Sequence, residues 1–120
     1  MSNRLQDNRL IQDTGTVTIG AAPSSSKGVW GAYSWLLSNL SDADPVIVGL
    51  YAGATAIIGP LRLPAGSRPF QALPHCDPRD PETWLIVPAG VALDIVTTSV
   101  NVTDGFTSLA MGRLLTQGGN

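Results

Sequence analysis

The residue types best able to do chemistry stand together at His75-Cys76-Asp77-Pro78-Arg79-Asp80. A cysteine and a histidine form a nucleophile and its base when the imidazole faces the thiol. Here they are adjacent, and neighbours along an extended segment point apart. A zinc site would need two further ligands, and only Asp77, Asp80 or Glu82 could supply them locally. The chain has one cysteine and one histidine. That excludes an intrachain disulfide, a CxxC knuckle, an HExxH motif and any two-histidine metal site. Pro74, Pro78 and Pro81 stiffen the same segment, so 73–82 is expected as a rigid, strand-free surface loop. The expectation is no catalytic residue, no metal and no cofactor, with His75 and Arg79 kept as contact residues.

Other motifs carry less. Asn101-Val102-Thr103 and Asn39-Leu40-Ser41 match the glycosylation tripeptide, which matters only in a secreted chain. No GxGxxG, P-loop or GxSxG motif is present. Trp30, Trp35 and Trp84 could form a sugar-stacking platform, although core packing is the commoner role for such rings. Trp30 and Tyr51 are the aromatic candidates for contact with a partner.

Composition narrows the function classes. The 120 residues suit one domain. Only 13% are charged, against ~25% in ordinary soluble domains. Seven basic and nine acidic side chains leave a net charge of −2, which argues against nucleic acid as a partner. There is no apolar run long enough to span a membrane and no signal-peptide pattern. A surface this poor in charge is expected to meet other protein.

The elements that must position these groups read as strands. Residues 16–19 alternate polar and apolar, and 20–28 form a Pro/Ser/Gly loop. Residues 29–40 are long enough for a helix, but Gly28, Gly31 and the aromatic enrichment favour a strand. A turn at 41–45 precedes the β-branched run 46–51. Residues 52–54 close a hairpin into 55–63, where Ile57, Leu61 and Leu63 are expected on one face and Ile58 and Arg62 on the other. Leu63-Pro64-Ala65-Gly66 is echoed by Val87-Pro88-Ala89-Gly90, each with a glycine where positive φ is cheap. Strands follow at 84–87, 91–96 and 106–115. About eight strands in all predict an all-β, antiparallel β-sandwich or jelly roll. Val17, Ile19, Trp35, Leu37, Val48, Leu50, Ile57, Leu61, Leu93 and Ile95 are its expected core.

Residues 1–14 are expected as an extended N-terminal arm, outside a sandwich domain at 15–116 and a tail at 117–120. Asn3-Arg4-Leu5 recurs as Asn8-Arg9-Leu10, and a five-residue offset fits neither a helix face nor a strand face. The arm either frays or orders on a neighbouring subunit, with Arg4, Leu5, Arg9, Leu10 and Ile11 as its contact residues.

The run from Ala54 to Ser67, with Ile58-Gly59-Pro60 and Leu63-Pro64-Ala65-Gly66, resembles the small β-sandwich structural proteins of tailed-bacteriophage virions. Pro88 to Leu93, Val102-Thr103-Asp104-Gly105 and Gly112-Arg113 extend the resemblance over roughly residues 29–115. The 73–82 segment departs from it. The resemblance implies a non-enzymatic virion component of the decoration or cement kind. Its partners would be the major capsid protein or other virion proteins. It would be a homo-oligomer, with a trimer as the form that local three-fold axes suit. A tail, fibre or head-to-tail component is one rival, and a free carbohydrate-binding module using the tryptophans is another.

Overall fold

Short alternating segments between glycine- and proline-bearing turns become strands along the whole chain. The structure is a computed structural model that describes residues 4–24, 27–66 and 69–116. The proposed tail at 117–120 lies outside the described residues. The strands are β1 (Arg4–Ile11), β2 (Gly15–Gly20), β3 (Gly28–Asn39), β4 (Val46–Ala52), β5 (Thr55–Leu63), β6 (Phe70–Gln71), β7 (Leu85–Ile86), β8 (Leu93–Ser99) and β9 (Phe106–Thr116). Among the described residues there is no α-helix, and one 3₁₀ turn covers Pro81–Thr83. The strands beyond those expected are β1 and the two-residue β6, which pairs along β3. The first sheet runs β1-β9-β3-β6, with β7 also on β3, and the second runs β2-β8-β4-β5. Every pairing is antiparallel.

One core joins the two sheets. Leu5, Ile11, Trp30, Trp35, Leu37 and Phe106 of the first sheet and Val46, Val48, Leu50, Leu93 and Ile95 of the second belong to a single buried cluster. Six of the expected core residues are fully inside, while Ile19, Ile57 and Leu61 pack against the cluster only partly buried and Val17 is half-buried. Trp35 is fully buried, and its indole Nε1 donates to the equally buried Ser108 Oγ at 3.0 Å. A buried indole N–H left unpaired would cost about 1–3 kcal/mol, so this pair fixes the ring as well as filling space.

Residues 4–11 are not an arm. They form β1, in register with β9 from Arg4 opposite Arg113 to Ile11 opposite Phe106, and they bury Leu5 and Ile11. In β5 the expected split of faces fails at Ile58, which packs against the core together with Ile57. Leu61 opposes Val48, Ile58 opposes Leu50, and Ile57 falls in a second register shift before Ala56 opposite Tyr51. Gly59 and Pro60 lie against Gly49, so an extra residue shifts the alternation by one. Gly59 sits at φ +94°, and a Cβ there would meet the Leu61 amide nitrogen at 2.8 Å.

The two Pro-Ala-Gly corners are turns with Gly66 at φ +69° and Gly90 at φ +74°. Each glycine N–H reaches back to an earlier segment, Gly66 to the Ser41 carbonyl at 2.7 Å and Gly90 to the Gly28 carbonyl at 2.9 Å. The first corner is anchored by buried Asn39, whose Nδ2 donates to the carbonyls of Asp44, Leu63 and Pro64. Asn101 donates to Asp44 and accepts from the amides of Thr103 and Asp104. Both asparagines of the glycosylation tripeptides are thus engaged in holding turns. Strand 84–87 shrinks to β7, and strand 91–96 starts two residues later and runs on to Ser99.

Candidate functional site

The reactive-type cluster lies in a strap that crosses the outer face of the first sheet. Its middle is tied by short local hydrogen bonds. Asp77 Oδ1 accepts from the Arg79 amide at 2.9 Å, and Asp80 Oδ1 accepts from the Glu82 amide at 3.2 Å. Thr83 Oγ1 donates to the Asp80 carbonyl at 2.8 Å and accepts from the Asp77 amide at 2.7 Å. A single bridge pairs Asp77 with Asp80, and the 3₁₀ turn follows. The two aspartates thus serve as turn caps, the ordinary use of a short carboxylate beside free amides.

Trp84 pins the strap to the sheet. It is buried, its Nε1 donates to the Asp77 carbonyl at 2.6 Å, and its ring lies 5.0 Å from that of Tyr33 at 45°. The Arg113 guanidinium stands 5.1 Å from its centroid, within cation–π reach. Gly31 makes the space, since a Cβ there would meet the indole at 2.9 Å. Beside the ring a groove of about 460 Å³ is lined by Tyr33, Ser34, Gln71, Leu73, Cys76 and Met111, among others. Cys76 is half-buried in this groove while His75 is exposed, so the adjacent pair does not share one environment. Arg79 is 92% exposed and lies 3.5 Å from Asp77, a contact worth little in water. Among the described residues no three His, Cys, Asp or Glu side chains gather as metal ligands would.

The remaining candidates separate by burial. Leu5, Ile11 and Trp30 belong to the core and offer no contact surface, which corrects their assignment. Trp30 is held by its Nε1, which donates to the Ala21 carbonyl at 2.8 Å. With Trp35 and Trp84 also buried, no tryptophan presents an open stacking platform. Tyr51 is half-buried on the second sheet, its ring folded over Gly49 and its strand position opposite Asp94. Arg4 is exposed, and Leu10 is 52% exposed. Arg9 makes a two-pronged contact with Asp7, both bonds at 2.6 Å. The Asp7 hydrogen bond and charge raise the Arg9 pKa above its ordinary value against the opposing effect of partial burial.

Beyond the strap, register places three rows across the outer face. Leu10, Thr107 and Ser38 form one, Asn8, Leu109 and Leu36 the next, and Gln6, Met111 and Ser34 the third. None is charged. Leu36 is exposed, and Phe70 and Ile86 lie exposed on β6 and β7. These rows are not legible in the sequence, because they exist only once β1 pairs with β9. Gly31 inside an aromatic strand was the available sign that another ring approaches there.

Compared with known proteins, the chain matches no family model, no curated protein and no solved structure.

Proposed function

We propose that the chain is a non-enzymatic structural protein of a tailed-bacteriophage virion. It would be a β-sandwich of jelly-roll kind that decorates or cements the capsid by contact with the major capsid protein or another virion protein. The observation that supports this reading is the set of three uncharged rows on the outer face of the first sheet, beyond the strap and the Arg4–Arg113 row. Leu10, Leu36, Leu109 and Met111 stand there among serine, threonine, asparagine and glutamine. Interface centres are depleted of charge in this way, and exposed apolar groups gathered on one face mark a contact surface. The two Pro-Ala-Gly corners and the Ile-Gly-Pro segment add the likeness to phage structural proteins.

Purified particles test the reading. Gel densitometry should show the protein at a copy number in the hundreds, as a shell-covering protein requires. A count in the tens would assign it to the tail or the head-to-tail junction, and its absence from particles would overturn the virion reading. Particles lacking the protein should bind it when it is added back, and Leu36→Glu should abolish that binding while leaving the fold intact.

A further inference from the structure

We infer that a second copy of this chain docks on the open edge of β1, antiparallel strand against strand, about a two-fold axis passing through Asn8. The inference stands on the edge strands alone and holds whether or not the protein attaches to a particle.

The sheets end at β1, β2, β5 and the short β6 and β7. Exposed edges are ordinarily blunted by proline, bulges or brevity. β5 carries Pro60 and two register shifts, β2 has a shift between Thr18 and Gly20, and β6 and β7 have two residues each. Among the described residues β1 alone of these edges keeps an unbroken register over eight residues, with β9 on one side and no strand on the other. Roughly half of its backbone N–H and C=O groups face that open side.

What β1 has in place of those devices is a charge pair on its inner side. Leu5, Asp7, Arg9 and Ile11 lie opposite Gly112, Ala110, Ser108 and Phe106 and share one face. With Asn8 opposite Asn8 of a second copy, Asp7 faces Arg9 of that copy and Arg9 faces its Asp7. Leu5 then faces Ile11, and Ile11 faces Leu5, so core face continues into core face. A slip of one residue sets the core face of one copy against the outer face of the other. A slip of two brings Asp7 against Asp7, or Arg9 against Arg9. Like charges directly opposite destabilise a strand pair, and opposite charges stabilise it. An inward charge pair guards an edge against pairing in general. This one guards it in every neighbouring register and permits the one in which the pair exchanges partners.

The test exchanges charges. Sedimentation equilibrium should show the full chain as a dimer, and Asp7→Arg or Arg9→Asp alone should weaken self-association by about tenfold or more. An equimolar mixture of the two variants should restore a dimer, because each arginine then meets an aspartate. As a measurement independent of variant stability, Asn8→Cys in a Cys76→Ser background should be cross-linked to itself by a short bismaleimide, whereas Thr18→Cys on β2 should not. A full chain that stays monomeric up to about 1 mM, where association is worth only about 4 kcal/mol, would overturn the inference. So would a trimer, an Asp7→Arg dimer as tight as the parent, or failure of the Asn8→Cys cross-link.

Discussion

Two strands of the first sheet pose the same puzzle and solve it differently. In β3, Trp30 and Trp35 are five residues apart and both lie in the core. In β1, Leu5 and Leu10 are also five apart, yet Leu5 is 3% exposed and Leu10 is 52% exposed. A regular strand must send residues five apart to opposite faces. β1 obeys that rule, with Ile11 taking the inward place beside Phe106. β3 breaks it, because Ala32 pairs with Gly112 and Ser34 with Met111, leaving Tyr33 as an extra residue. The bulge resets the alternation between the two tryptophans. Spacing therefore assigns faces only once the number of bulges between two residues is known.

The comparison is broken most severely by deleting Tyr33. Without the extra residue, one half of β3 must turn its core side outward, which removes either Trp30 and Ala32 or Trp35 and Leu37 from the core. The expected loss approaches the whole stability of a small domain, roughly 5–15 kcal/mol. Calorimetry should then show no cooperative transition, and a normal one would mean that the bulge does not set the phase. Trp35→Ala comes next, at about 3–5 kcal/mol, because it empties a closed site and strands Ser108. Urea midpoints should report it, and a shift equivalent to less than ~1 kcal/mol would place the ring elsewhere. Leu5→Ala should cost about 2–4 kcal/mol, at the core face of an edge strand. No loss would restore the view that this segment is an arm. Leu10→Ser, five residues on, should change stability by less than ~0.5 kcal/mol in a monomeric background such as Asp7→Arg. A larger loss would show that Leu10 is covered within its own subunit.

The same contrast explains what could be read beforehand. The strand over β3 was legible from Gly28, Gly31 and its aromatic residues, and the corners were legible because proline and glycine act locally. β8 showed its face through Leu93 and Ile95. β1 was hidden because its inner side alternates Leu5, Asp7, Arg9 and Ile11, so that a charge pair occupies half of what an apolar pattern would need. Its partner β9 lies at the other end of the chain, where no local pattern points. The strap is legible as a stiff loop from its prolines, but its purpose is not. Nothing near Trp84 in sequence states that Tyr33 and Arg113 will receive it. The three uncharged rows are likewise invisible, since they combine β1 and β3 from the first third of the chain with β9 from its end.

The pairing of β1 with β9 also governs when the molecule can form. The two strands meet with partners roughly 100 residues apart along the chain, and such non-local closure places a domain among the slower folders, in milliseconds to seconds. During synthesis the first strand emerges early and waits for the last. Until β9 has cleared the ribosome, Leu5 and Ile11 have no sheet to complete and β3 has an open side. Nascent chains translated side by side would then expose matching edges at the same moment, before either has closed its own sheet. Ribosome spacing and chaperone occupancy would decide whether such chains close on themselves or on one another.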